Sequence, residues 1–372
     1  MSELKQIVEL WRTAKASKEE VCLATVVRVE GSSYRKPGAR MLLTRSGQRA
    51  GTISGGCLEA EVMKKAWWLT ENGSTVQRYS SFFDDDSSMP YGLGCGGTVH
   101  VLLDRGQSAH HVLDALDLSL NSRIQFVIIT DTNRAETLLV RGAGEEDLLR
   151  SPDLAALTDL EVLVQRAADD RRSFYATVHA NTDHTSELFV EYVAPCPALT
   201  IFGAGNDAKP LADFALRLGW HVTVADGRSN LVSIERFPHV NRLTVLKYEG
   251  DSPLRELTIN AEDAFVLLTH SYEQDRTLLR KLIPHKPKYL GVLGPLQRTQ
   301  RLVGEIAAQV DMSPEECMSC LYAPVGFDIG AHTPESIALS IVTEIVAVLN
   351  GHEGMSLKKQ ARKQIHSKLN YV

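Results

Sequence analysis

From residue 199 onward the chain alternates short apolar strands with amphipathic helices, and this limits the fold more than any other feature. Strands read at 199–203, 221–225, 242–246, 264–269 and 288–292, with helical stretches at 207–218, 272–283 and 296–309 between them. Parallel strands need crossover connections, so the helices must cover both faces of one sheet. The first strand runs into Gly203-Ala-Gly205-Asn-Asp207-Ala208. The first glycine permits the turn, the second lets a phosphate approach the backbone, and Ala208 keeps helix and strand close. Val222-Thr-Val-Ala-Asp226 ends the second strand on a carboxylate, where a ribose-binding acid belongs. Asp207 puts negative charge near any pyrophosphate there, and Arg228 offers a phosphate contact instead. These residues leave open either a dinucleotide site or a Rossmann fold that binds none. A last helix over 334–349 starts at Thr333-Pro334, a strong helix-start pair.

Two prolines in Ala194-Pro-Cys-Pro-Ala interrupt helix and strand alike and set a boundary. The expected organisation is a first domain over 1–105, a mixed α/β linking section over 106–195, a Rossmann-like domain over 198–350 and a basic polar tail over 351–372. The first domain reads as mixed α+β, and the Rossmann-like domain as a doubly wound parallel sheet. A helix at 3–15 precedes a nearly all-apolar strand from Val21, and a strand at 39–45 turns at Ser46-Gly47 into a third. The third strand leads to Ser54-Gly55-Gly56-Cys57-Leu58-Glu59 and a helix at 57–70.

Gly55 and Gly56 allow backbone angles closed to other residues, so they can deliver Cys57 to the first turn of that helix. Unpaired amides and the helix dipole there would ease ionisation of the thiol. The alternative is a small buried cysteine filling a gap between helix and sheet. A second such element, Gly94-Cys95-Gly-Gly97, leads into a strand at 98–103. Asp84-Asp85-Asp86 reads as a solvated loop, because nothing nearby completes a cation's ligand set. In the Rossmann-like part, His270 follows the strand at 264–269, as a base, an anion contact or a packed side chain. Asp328 lies in the tight loop Gly326-Phe-Asp-Ile-Gly330, expected to face the same crevice. Cys317-Met-Ser-Cys320 has the spacing of a redox or zinc pair but lacks the surrounding ligands or βαβ context.

Net charge of -6 gives no electrostatic case for nucleic acid. No apolar run approaches a membrane span, and the start lacks the basic-then-apolar form of a signal peptide. Six scattered cysteines do not make a disulfide scaffold in a chain of 372 residues. Reduced thiols in a cytoplasmic protein are expected.

Taken together, these stretches resemble the XdhC/CoxI family of xanthine dehydrogenase maturation factors. The amino-terminal blocks are Gly31-Ser-Ser-Tyr-Arg35, Pro37-Gly-Ala-Arg-Met41, Gly51-Thr-Ile-Ser-Gly-Gly-Cys-Leu-Glu59 and Gly94-Cys-Gly-Gly97. The carboxyl-terminal blocks are Ile201-Phe-Gly-Ala-Gly-Asn-Asp-Ala208, Asp226-Gly-Arg228, Arg236-Phe-Pro238, Thr269-His-Ser-Tyr-Glu-Gln-Asp275 and Pro324-Val-Gly-Phe-Asp-Ile-Gly-Ala331 with Thr333-Pro334. Two departures stand out: Tyr34 replaces the family's usual proline, and Asn206 its usual histidine.

The resemblance implies a cofactor chaperone more than an enzyme. Such a protein binds molybdenum cofactor (molybdopterin), supports its sulfuration and delivers it to a xanthine dehydrogenase-type apo-enzyme. It also implies a cysteine desulfurase as partner. Cys57 matches the family's Gly-Gly-Cys cysteine, the leading contact to the cofactor and through it to molybdenum. Cys95 is a second thiol for that site, and Arg35 and Arg40 suit the phosphate and the pterin edge. A homodimer is the default assembly. Two alternatives remain open. One is an NAD(P)-dependent oxidoreductase using Gly203, Gly205 and Asp226 with His270 as proton donor. The other is a nucleotide-binding module without turnover.

Overall fold

The computed structural model describes residues 2–56, 58–80, 97–144, 147–152, 160–179, 185–248 and 254–358. Cys57, Cys95 and the Asp84–Asp86 run lie outside the described residues. The chain divides into two compact units, Met1–Cys196 and Pro197–Val372.

The first unit opens with α1 (Glu3–Ser17), β1 (Val21–Gly31), β2 (Arg40–Thr44), β3 (Arg49–Gly51), α2 (Glu59–Leu69), β4 (Thr75–Ser80) and β5 (Gly97–Asp104). These strands form an antiparallel sheet in the order β3-β2-β1-β5-β4. The unit continues with α3 (Gln107–Asn121), β6 (Phe126–Asp131), β7 (Glu136–Gly142), β8 (Asp147–Arg150), α4 (Leu160–Asp170), β9 (Phe174–His179) and β10 (Thr185–Val193). A second antiparallel sheet results, ordered β8-β7-β6-β10-β9.

The apolar run in β1 is explained by burial on both faces. Val21 and Leu23 pack with Ile7, Val8 and Trp11 of α1 and Leu113 of α3. Their neighbours Cys22, Ala24 and Val26 point the other way, toward Leu58, Val62 and Ala66 at and in α2. Strand residues alternate faces, so a strand covered on both sides loses its polar alternation. β6 repeats the arrangement: Phe126 and Ile128 join the α1/α3 core, while Val127 and Ile129 meet Leu160 and Ala167 of α4. Helices α1 and α3 therefore serve one core shared by both sheets. Arg40 on β2 and Glu191 on β10 form a buried bidentate pair, at 2.8 and 2.5 Å.

The second unit carries β11 (Ala198–Phe202), α5 (Ala208–Arg217), β12 (His221–Asp226), β13 (Arg242–Val245), β14 (Ala264–Leu267), α6 (Tyr272–Leu282), β15 (Tyr289–Val292), α7 (Leu296–Ile306), α8 (Pro314–Ser319) and α9 (Pro334–Leu349). Its parallel sheet is ordered β13-β12-β11-β14-β15, with helices on both faces, as the alternation predicts. Leu199 and Ile201 pack with α5 and α9, whereas Phe202, Phe265 and Leu267 pack with α6 and α7. Cys317 is sealed in that second core and burial pushes its thiol pKa up, whereas Cys320 is half-buried. Cys22 is likewise buried, with its pKa pushed up to about 12 by burial. Among the described residues, no helix is long and apolar enough to cross a membrane.

Candidate functional site

Separate sequence blocks of the first unit converge by strand pairing. In the antiparallel sheet, the β1/β5 ladder runs out to Gly31 and Gly97, whereas Arg40, at the start of β2 and beside the end of β3 at Gly51, lies opposite Thr25, earlier along β1. Gly31 pairs with Gly97, and Met41 with Gly51. The approach is close: a Cβ on Gly97 would lie 2.1 Å from the Ser32 carbonyl oxygen, and one on Gly51 2.3 Å from that of Arg40. The loop after β1 therefore forms the rim of the site, touching the entry to β5 at Ser32 and the turn before α2 through Arg35 and Thr52.

On that rim, Glu59 organises the turn. Its Oε1 accepts the amides of Ile53 at 3.0 Å, Ser54 at 2.9 Å and Gly55 at 3.2 Å. Its Oε2 accepts the Gly56 amide at 2.9 Å and the Ser54 hydroxyl at 2.6 Å. The same hydroxyl accepts the Leu58 amide at 2.9 Å. Glu59 is 1% exposed. Burial works against its charge, but the Ser54 hydroxyl and these amides outweigh burial and hold the carboxyl at about 2. Gly55 and Gly56 have φ of +95° and +125°, which requires glycine, and open space lies where their side chains would be. The amides of 53–56, expected to favour an anionic thiol, are thus already aimed at the chain's own carboxylate.

The two arginines differ. Arg35 Nη2 donates to both Glu3 carboxylate oxygens, at 2.6 and 2.8 Å, and its Nε donates to Thr52 Oγ1 at 2.9 Å. Glu3 also accepts the Thr52 amide at 2.6 Å, so α1, the loop after β1 and the turn are tied together. The Arg35 side chain remains one-third exposed. Arg40 is 8% exposed and bound to Glu191 and to the Gly38 carbonyl. Its position suits bracing the two sheets, not a ligand's phosphate.

In the second unit, the strand order reverses between β11 and β14, and crevices form at the carboxyl ends of strands around such a point. Gly203 has φ of +110°, and a Cβ there would strike the Leu268 carbonyl oxygen at 2.4 Å. Gly205 borders open space. Asp207 and His270 meet across the reversal, with Oδ2 and Nε2 3.3 Å apart. His270 sits at φ +56°, a left-handed conformation that costs energy for a side chain of this size. Its neighbours brace it: Thr269 Oγ1 accepts the Ser271 amide at 3.1 Å and donates to buried Asp275 at 2.6 Å. Arg298 Nη1 donates to the other Asp275 oxygen at 2.7 Å. Burial raises the Asp275 pKa, against the pull of Thr269 and Arg298.

Asp226 is 3% exposed and saturated. It accepts the Ala204 amide at 2.7 Å, the Arg228 amide at 2.8 Å, Arg228 Nε at 3.0 Å and Arg228 Nη2 at 2.8 Å. Burial opposes the charge, but Arg228 and the two amides lower the pKa overall. Arg236, from a loop after β12, donates to the Ala204 carbonyl at 3.1 Å. Asp328 follows Val325, whose amide donates to Val292 O beside β15, and Phe327, whose carbonyl accepts the Ser340 hydroxyl of α9.

Sequence reasoning missed the roles of Glu3, Thr52 and Glu191 and the Thr269–Asp275–Arg298 brace. Glu59 was visible as part of a block, yet its function as the turn's acceptor depends on backbone angles that only coordinates give. Among the described residues, no group of three or more His, Cys, Asp or Glu side chains is arranged to hold a metal ion.

The two antiparallel sheets sharing a helical core, followed by a Rossmann unit with a braced crevice, define a class of two-unit α/β proteins. Matches to known proteins narrow that class. Residues 199–345 match the model of the XdhC Rossmann domain, and residues 14–80 that of the XdhC and CoxI family. The chain is 34% identical over 331 residues to a Bacillus subtilis protein described as a probable subunit of xanthine dehydrogenase, covering 88% of this chain and 93% of that protein. It is 25% identical over 326 residues to the molybdenum cofactor insertion chaperone PaoD of Escherichia coli, covering 88% and 82% of the two chains. A crystal structure described as a xanthine dehydrogenase from Bacillus halodurans superimposes with a TM-score of 0.70 at 28% identity, covering 95% of this chain and 98% of that one. The chain belongs to the XdhC/CoxI family.

Proposed function

We propose that this protein is an accessory factor that receives molybdenum cofactor as cargo and hands it to a xanthine dehydrogenase-type apo-enzyme. The observation that carries this reading is the 31–35 loop, which touches the entry to β5 at Ser32 and the 51–56 turn through Arg35 and Thr52. Similarity to PaoD, an insertion chaperone by its description, supports the same reading.

The rim has suitable chemistry. Exposed Gly55 and Gly56 leave room for a bulky ligand against the backbone. Arg35 offers a partly solvated guanidinium for the phosphate or the pterin edge. Cys57 follows a turn fixed by Glu59, and a thiolate suits a soft metal centre or a transient sulfur. The bound cofactor supplies the molybdenum chemistry; the protein's residues bind, orient and release it. Cargo that must leave again calls for such exchangeable contacts. Cys95, two residues before Gly97, is the second thiol assigned to this rim. A cysteine desulfurase would deliver the terminal sulfur, and a homodimer is the working assembly.

The test is transfer. Wild type and Cys57→Ala, loaded with the cofactor, are mixed with apo-xanthine dehydrogenase and recovered activity is followed. The proposal expects activation by wild type and a loss with Cys57→Ala. Equal activation would remove Cys57 from the site.

A further inference from the structure

We infer that the Rossmann unit rejects NAD(P), because its own side chains occupy the ribose half of the crevice, with Arg228 as the occupant. A dinucleotide in such a fold needs an acceptor at the end of the second strand for the ribose hydroxyls. A carboxylate has about four acceptor positions. In Asp226 four donors fill them: the Ala204 amide and three nitrogens of Arg228, all within 3.0 Å. A ribose diol would have to displace a charge-assisted fork, which neutral hydroxyls match poorly.

Two further observations agree. The Ala204 peptide is held at both ends, its amide by Asp226 and its carbonyl by Arg236, which fixes the glycine loop against the chain itself. Just past the acid, a Cβ on Gly227 would lie 3.0 Å from the Tyr248 ring and 3.5 Å from the Gln274 amide, so the backbone next to the ribose acid is covered. A 2′-phosphate fares no better. It would need Arg228, whose Nε and Nη2 already face Asp226, and it would bring a second anion beside a buried one.

The glycine signature keeps a structural reason without a cofactor, because Gly203 is required by the approach of Leu268. Gly205 stays open, so the exclusion lies in the ribose half and not at the turn.

The test titrates the full-length protein with NADH and NADPH, following energy transfer from tryptophan and the melting temperature, up to about 1 mM, the top of the usual working range for such sites. Wild type should show no saturable signal and no rise in melting temperature. Arg228→Ser, which releases two acceptor positions on Asp226, should show saturable NADH binding within that range. Saturable binding by wild type would overturn the inference. So would an Arg228→Ser protein that melts like wild type yet stays silent.

Discussion

Ser54 and Glu59 hold each other in a closed loop of hydrogen bonds. The Ser54 hydroxyl donates to Glu59 Oε2 at 2.6 Å while its amide donates to Oε1 at 2.9 Å. The hydroxyl also caps the Leu58 amide, so one side chain joins the turn to the first turn of α2. Glu59→Gln keeps the shape but puts an NH2 where an acceptor is needed. It should cost about 2–4 kcal/mol, and Ser54→Ala about 1–2. Urea unfolding of both singles and the double variant should show strong non-additivity. Additive losses would mean the two do not act as a unit.

The same pair fixes a pH dependence. Glu59 is held at about 2 in the folded chain against an ordinary value of 4.5. A depressed carboxyl pKa stabilises the fold fully above the unfolded value, and that stabilisation is lost as pH falls from about 4.5 toward 2. Acid unfolding of wild type should therefore steepen through this window, with about 3 kcal/mol at stake. Glu59→Gln should flatten that limb. Identical acid limbs would contradict the assignment.

Arg40 and Arg35 should separate cleanly. Arg40→Ala leaves Glu191 buried and uncompensated, which should cost about 3–5 kcal/mol. Replacing both partners, Arg40→Met with Glu191→Leu, should recover most of it. Arg35→Ala breaks a partly exposed pair and should cost no more than about 1 kcal/mol. Its effect should appear in cofactor retention. Equal melting losses for the two arginines would refute the division of roles.

His270 offers a test of stored strain. Glycine accepts φ of +56° without penalty, so His270→Gly should stabilise the Rossmann unit by up to about 1 kcal/mol. A histidine kept there at a cost argues for work done by its side chain with Asp207. A destabilised His270→Gly protein would show that the imidazole instead holds the crevice together.

The parallel sheet was the most legible part of the chain. Each β-strand and its crossover helix is local in sequence, and the predicted strands fall within two residues of the observed ones. Helix α3 was harder to see. Its buried Ala109, Val112, Leu113 and Leu116 are interleaved with His110, His111, Asp114 and Asp117, which blurs the apolar stripe. The rim was invisible as geometry, because it rests on β1 pairing with β5 across some seventy residues and on Arg35 reaching Thr52. Asp226 shows a further limit. Its position in the sequence fits a ribose acid, but the four donors that fill it come from a neighbour and a loop folded back on it.

The central claim is that the rim of the first sheet carries molybdenum cofactor through Cys57. Retention tests it most directly: purified wild type and Cys57→Ala are loaded with the cofactor, desalted, and assayed for bound pterin and molybdenum. The account expects wild type to keep both in a fixed ratio and Cys57→Ala to lose them while melting at the same temperature. Equal retention by the two proteins, or none by either, would contradict it.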